Sequence, residues 1–347
     1  MRFVGIDVHK VNCQICAFDD VTGEILEKRI PTTAPSLQEF FKGWEPCRIL
    51  IEAATESEWV ARVLERLGHE VIVADPNFAP MYATRDKKVK TDKRDARALM
   101  EATKLGAYRK SHRVSDVQRT VRRRLAVRDA LIGSRSKMIN TARAVTRQDG
   151  YRVPSGEAET FHLRVRAMEI GQEVKDVLAP LLGAMEELTE QIALCDEEVV
   201  AIGQSKETQL LQTIPNIGPI TSVAFVATLD NCERFPGARN ASSYLGLVPS
   251  EFSSGEKRHR GAITKRGNAR MRWLLVQAAH GIMRKETVAN KPLHNWARAV
   301  EMRGGKNVAV VGLARRLGRV LFAVWSTGLP YDERRVQPRK VVLEPAM

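Results

Sequence analysis

Phe3-Val4-Gly5-Ile6-Asp7 stands near the start of the chain, and Ile49-Leu50-Ile51-Glu52 repeats its form: a short apolar run that closes on an acid. Such runs read as strands, so each acid stands at a strand's end. A third stretch, Asp92-Lys93-Arg94-Asp95, opens a helical pattern. Acids three apart on a helix lean to one face. Two divalent ions about 3.5–4 Å apart, the arrangement that splits phosphodiesters, need several carboxylates converging from separate elements. Asp7, Glu52, Asp92 and Asp95 are therefore the candidate metal ligands. Each also has a plainer reading, Asp7 and Glu52 as turn residues and Asp92 as a favourable charge at a helix N-terminus.

Outward from these runs, residues 1–108 alternate strand and helix. Arg2–Asp7, Gln14–Phe18 and Ile25–Ile30 read as a meander of three strands. A helix follows at Ser36–Gly43, with Ser36 as cap and Leu37, Phe40 and Phe41 inward. Next come a strand at Arg48–Glu52, a helix at Glu56–Leu67 ended by Gly68, and a strand at Glu70–Ala74. The helix Asp92–Leu105 stops at Gly106. Three antiparallel strands followed by strand–helix alternation is the order of a ribonuclease-H-like fold. In that fold the first and fourth strands are neighbours, which would set Asp7 beside Glu52.

Residues 109–204 read as helical, with a basic first half that can lie along a duplex. In the second half Leu178, Leu181, Met185, Leu188, Ile192, Cys195, Val199 and Ile202 recur at alternating spacings of three and four. That is a coiled-coil seam, and it predicts pairing with another helix of the same chain or of a second one. Residues 205–347 read as mainly helical. Ile214-Pro215-Asn216-Ile217-Gly218 lies between two apolar segments and resembles a helix-hairpin-helix, whose turn amides hold a phosphate; an ordinary helix–helix turn is the alternative. Ser254-Gly255 falls in a polar loop with basic surroundings. The fold class expected is thus α/β plus α in three blocks: 1–108, 109–204 and 205–347.

The chain has 347 residues and a net charge of +14, with a pI near 9.8. The excess is clustered: seven basic residues from Arg85 to Arg97, ten from Arg113 to Arg147, and seven from Lys257 to Arg272 with no acid among them. Such blocks track phosphate backbones and make binding salt-dependent; a solvated basic face is the plainer reading. The candidate contacts are Lys87, Lys88, Lys90, Arg122, Arg123, Arg124, Lys257, Arg258, Arg260, Lys265 and Arg266. Aromatic residues make up 6%, so backbone charge rather than base stacking is expected to carry most of the affinity. No signal-peptide core is read at the N-terminus. No run of about 18 uncharged apolar residues spans a membrane, for even Val308–Trp325 carries Arg315, Arg316 and Arg319. A cytoplasmic location is the expectation. The five cysteines have no framework spacing. Cys13 and Cys16 lie in an alternating strand, where residues three apart face opposite ways, against a shared metal or redox role.

These segments, in this order, resemble the DEDD transposases of the IS110 insertion-sequence family over nearly the whole chain. Gly5-Ile6-Asp7, Ile51-Glu52-Ala53 and Lys90-Thr91-Asp92-Lys93-Arg94-Asp95-Ala96 are similar to its acidic motifs. In the C-terminal half, Ile214–Gly218, Leu245-Gly246-Leu247-Val248-Pro249, Phe252-Ser253-Ser254-Gly255 and Thr264-Lys265-Arg266-Gly267-Asn268 resemble its transposase domain. Phe252 stands where Tyr is usual, and Asn216 where Gly is. The resemblance implies a RuvC-like domain holding two Mg²⁺ ions through Asp7, Glu52, Asp92 and Asp95. It implies that Ser254 attacks DNA to form a covalent phosphoserine link, with Ser253 an adjacent decoy for the register. It further implies double-stranded DNA and a structured non-coding guide RNA as partners, a dimeric or tetrameric assembly, and a nucleoid-associated prokaryotic protein. Lys257, Arg258 and Arg260 are placed to neutralise phosphate charge. The layout leaves open completion of the site between protomers. Three other readings stand beside this one: a junction-resolving nuclease that uses water, a non-catalytic nucleic-acid-binding scaffold, and a degenerate copy.

Overall fold

The computed structural model describes residues 1–83, 91–251 and 260–335. The chain divides into two compact units, Met1–Val114 and Ser115–Met347.

The first unit is built on a five-stranded sheet in the order β3-β2-β1-β4-β5. Its strands are β1 (Arg2–Val8), β2 (Asn12–Asp19), β3 (Ile25–Pro31), β4 (Arg48–Glu52) and β5 (Glu70–Ala74). β1, β2 and β3 pair antiparallel, while β4 lies parallel to β1 and to β5. This mixed sheet fits a ribonuclease-H-like transposase domain, and β1 and β4 are adjacent as the element order predicted.

Side-chain alternation gives the sheet two buried faces. Val4, Ile6, Ile49 and Ile51 pack with Leu37 and Phe41 of α1 (Ala34–Phe41) and with Val60, Ala61 and Leu64 of α2 (Ser57–Arg66). On the other face Cys16 and Leu50 meet Ala96, Leu99 and Met100 of α3 (Asp92–Leu105). Cys13 and Cys16 are buried on opposite sides of β2, as their spacing requires. α1 begins two residues before the expected start, because Thr33 and not Ser36 is its cap: the Thr33 hydroxyl accepts from the Ser36 amide at 3.3 Å. Pro35 then sits in the first turn, where a missing amide costs nothing.

The second unit is mainly helical. α4 (Asp116–Gln148) and α6 (Gln172–Ile202) are its long rods, with the short α5 (Phe161–Arg166) between them. The expected seam is real, and its partner is α4 of the same chain. Leu178, Met185, Ile192 and Val199 are buried, while Leu181, Leu188 and Cys195 are half-buried. Arg124 reaches Glu198 at 3.1 Å, Arg128 pairs with Asp196, and Arg135 donates to Thr189 at 3.3 Å, so the rods run antiparallel.

Beyond them, α7 (Lys206–Leu211) and α8 (Pro219–Leu229) flank the Ile214–Gly218 turn. Asn216 there has φ 62°, the left-handed region that Gly and Asn tolerate best. α9 (Ala238–Tyr244) leads to a two-stranded hairpin, β6 (Pro249–Glu251) and β7 (Arg260–Ile263). The sequence reading had only polar loop there; strands of three and four residues are too short to show a period. α10 (Ala269–Arg284), α11 (Lys291–Gly304) and α12 (Lys306–Thr327) complete the unit. Its core gathers Phe225, Leu245, Leu275, Leu313 and Leu317.

Candidate functional site

Gly5 determines where the acids meet. It shares a sheet face with Asp7, two residues on, and that face carries α3. A methyl group on Gly5 would stand 2.2 Å from the Ala96 carbonyl oxygen and 2.2 Å from the Met100 amide nitrogen. Only a hydrogen fits there, so the α3 backbone lies directly on β1. Thr91 caps α3 by accepting from the Arg94 amide at 3.3 Å, and Gly106 ends it at φ 67°. The helix therefore starts over the C-terminal end of β1, where Asp92 and Asp95 occupy its first turn. Leu50 and Glu52 of the adjacent parallel strand have the same parity. Glu52 thus also belongs to the α3 face.

At the end of β1 the Asp7 carboxylate accepts from His9 Nε2 at 3.2 Å, and the same nitrogen lies 3.4 Å from an Asp92 oxygen. One ligand atom from each of Asp7, His9 and Asp92 lies within 4.8 Å of the others. Asp95 is buried at 6% exposure. Burial, the largest influence, pushes the Asp7 carboxyl above the ordinary range; His9 opposes this, and Asp95 and Asp92 push the same way. Glu52 is not part of that triad. Its carboxylate accepts a hydrogen bond from the Tyr82 hydroxyl, which the short helical turn Ala79–Tyr82 presents.

Asp92 and Asp95 raise the proton affinity of Asp7, a crowding that a divalent cation relieves, and oxygen donors with one imidazole suit such a cation. Sequence reasoning named the four acids but gave no role to His9 or Tyr82. The signal for His9 was its place two residues after Asp7. Tyr82 offered none, for its reach to Glu52 depends on the fold of residues 75–82.

The basic candidates fare unevenly. Arg122 donates to the backbone carbonyls of Ala227 at 2.6 Å and Thr228 at 2.8 Å, so it ties α4 to the end of α8. Arg124 pairs with Glu198, while Arg123 is exposed. Lys265 and Arg266 are exposed in a turn whose backbone is locked. A methyl on Gly246 (φ 70°) would lie 2.0 Å from the Arg266 carbonyl, and one on Gly267 (φ 110°) 2.1 Å from that of Tyr244. The Lys265 amide also donates to the Gly246 carbonyl at 3.2 Å. The two glycine motifs of the C-terminal half therefore interlock at the base of the β6–β7 hairpin. Lys87, Lys88, Lys90, Ser254, Lys257 and Arg258 lie outside the described residues. Arg260 contributes its backbone to β7.

Acids that meet at a strand end and a helix start on a mixed sheet fit the class of ribonuclease-H-like proteins with a DEDD acid set. The comparisons narrow it. A DEDD transposase model of the IS110 type, described as Transposase, matches residues 4–148, and one described as Transposase IS116/IS110/IS902 family matches residues 208–294. The transposase for insertion sequence element IS1328 of Yersinia enterocolitica is 28% identical over 96% of this chain and 99% of its own length. That for IS1111A of Coxiella burnetii is 27% identical over 93% of this chain and 89% of its own. The "Probable family 20 transposase" of Pseudomonas aeruginosa is 28% identical over 93% and 96%. The chain belongs to the IS110/IS116 family of transposases, enzymes that cleave and rejoin DNA. Among the described residues no helix is long and apolar enough to cross a membrane.

Proposed function

We propose that the chain moves its own insertion sequence by cutting and rejoining double-stranded DNA with two groups of residues. Asp7, Glu52, Asp92 and Asp95 hold Mg²⁺, with His9 beside them. Bound divalent ions would neutralise the phosphate's non-bridging oxygens and favour deprotonation of a hydroxyl. The observation that carries this reading is the meeting of Asp7, His9 and Asp92 at the end of β1, in a chain whose family acts on DNA. Ser254 is the nucleophile. Its oxygen forms a bond to phosphorus, the bond to one deoxyribose oxygen breaks, and the leaving hydroxyl takes a proton. The phosphoserine link conserves the bond for rejoining when a second deoxyribose hydroxyl attacks and releases the serine.

Lys265 and Arg266, held in a rigid turn at the foot of the hairpin, supply phosphate contacts together with Lys257, Arg258 and Arg260. Lys87, Lys88 and Lys90 serve the acidic unit in the same way. A structured non-coding RNA guides the choice of site, and the working form is a dimer or tetramer. The α4–α6 seam is satisfied within one chain, so assembly uses another surface.

Trapping on a nicked suicide duplex tests the chemistry. Ser254→Ala should still bind DNA but form no covalent protein–DNA species, whereas Ser253→Ala should form it. Asp7→Ala and Asp92→Ala should abolish cleavage in magnesium with the fold intact. A covalent link at Ser253 or at a tyrosine would overturn the serine assignment. Cleavage with no link at all would leave a nuclease that uses water.

A further inference from the structure

Trp273 stands near the start of α10 with 56% of its surface exposed. The other four tryptophans are each engaged. Trp44 packs on Phe40 and Phe41, Trp59 donates to Glu56, Trp296 lies under Arg316 and Trp325 meets Phe225 edge-on. Among the described residues no ring or cation packs on the Trp273 indole, and its N–H finds no hydrogen-bond partner. A helical side chain leans toward the N-terminus and lies over the preceding turn. On this face that turn offers Ala269, itself exposed and too small to cover a ring. The indole therefore leans toward the head of α10, where Asn268 caps the helix by accepting from the Met271 amide at 2.9 Å. Lys265 and Arg266 are exposed in the turn just before that cap.

One exposed apolar side chain is ordinary on a protein surface. The charge around this one is not, for no acid occurs between Glu256 and Glu286. Arg270 is tied to Asp129 and Arg272 donates to the Leu245 carbonyl at 3.3 Å, which leaves the exposed charge of the helix head to Lys265 and Arg266. An aromatic platform with only cations along its own segment fits a polyanion that has flat faces to offer. Nucleic acid is such a polyanion, and a base shows its face only when unpaired. Handing a strand to a new partner requires base pairs beside the break to open, so an enzyme that cuts and rejoins DNA meets such bases. We propose that Trp273 stacks on an unpaired DNA base while Lys265 and Arg266 hold the neighbouring phosphates. The inference takes the phosphate role of that turn from the proposal above and adds the base.

The experiment measures fluorescence anisotropy of the full chain at low salt with labelled duplex DNA, either intact or carrying about four unpaired thymidines at its centre. Wild type should bind the interrupted duplex more tightly. Trp273→Ala should weaken that binding about tenfold, the size of one lost stacking contact, and leave binding to the intact duplex unchanged. Trp273→Phe keeps a stacking ring and should restore most of the loss. Met302→Ala also removes an exposed apolar side chain and should change neither. Lys265→Gln with Arg266→Gln should weaken binding to both duplexes alike. Stacking also quenches an indole, so wild-type tryptophan emission should fall on adding the interrupted duplex and hold steady in Trp273→Phe. Equal effects of Trp273→Ala on the two duplexes, or none on either, would overturn the proposal. So would a wild type that does not prefer the interrupted duplex. Tighter binding to unpaired uridines of an RNA strand would overturn the assignment to DNA. An unchanged preference with a smaller assembly in sedimentation would make Trp273 a contact between copies instead. A preference lost in Trp273→Ala but untouched affinity in the Lys265 and Arg266 variant would leave the stacking standing and overturn the phosphate reading.

Discussion

A single hydrogen atom at Gly5 lets α3 lie on β1, and the position of Asp92 and Asp95 over Asp7 follows from it. Gly5→Ala places a methyl 2.2 Å from two backbone atoms, neither of which can rotate away. Overpacking of this kind costs about 1–3 kcal/mol when side chains can yield, and backbone yields less. Expected are a lowered melting temperature and loss of magnesium binding by calorimetry, with all four carboxylates still present. Normal magnesium affinity in Gly5→Ala would show that the site tolerates a shifted helix. Asp7→Asn should act in the opposite sense on the metal-free protein. It removes a charge that is half-buried and faces Asp92 and Asp95, so the melting temperature should rise, while the stabilisation that added magnesium gives should disappear. Such opposed effects mark a residue kept for function at a cost in stability. A fall in the metal-free melting temperature would mean that His9 makes the Asp7 charge net favourable.

At the level of elements, what could be read in the sequence was whatever a local pattern dictates. β4, β5 and α3 begin and end where the reading placed them, because an apolar run, a capping Thr91 and a left-handed Gly106 each act within a few residues. The seam of α6 was equally plain, but its partner was not. A heptad states that a helix is covered and says nothing of by what. The basic face of α4 had the same defect: Arg122 is a phosphate contact in sequence and an anchor for α8 carbonyls in the fold. Tyr82 reaches Glu52 from thirty residues away in the chain, so no short window of sequence held that contact. Because the seam is internal, a charge at Leu188 (Leu188→Glu) should destabilise the second unit itself, by about 2–4 kcal/mol for an unpaired charge at a half-buried apolar position. Denaturant titration should report that loss. A variant of unchanged stability that merely dissociates in sedimentation would show that Leu188 serves contacts between copies.

Across the whole molecule the excess of basic residues has two separate uses, and salt distinguishes them. Guanidinia tied to internal carbonyls and carboxylates hold the helical unit together, as Arg122, Arg128 and Arg135 do. Arg123, Lys265 and Arg266 are exposed, and phosphate contact is the role proposed for them. If the protein neutralises about 6–10 phosphates, its affinity for duplex DNA should fall by roughly 10³–10⁵ between 50 and 200 mM salt. Each phosphate contact contributes about 0.9 to the slope of log affinity against log salt. Arg123→Gln, Lys265→Gln and Arg266→Gln together should therefore flatten the slope by two to three units, roughly one per lost contact, with little change in melting temperature. Arg122→Gln is the complementary case: it leaves two carbonyls without their donor and should lower the melting temperature while the slope stays put. The reverse pattern, a slope carried by Arg122 and untouched by the exposed three, would place the DNA on the α4–α8 junction and away from the foot of the hairpin.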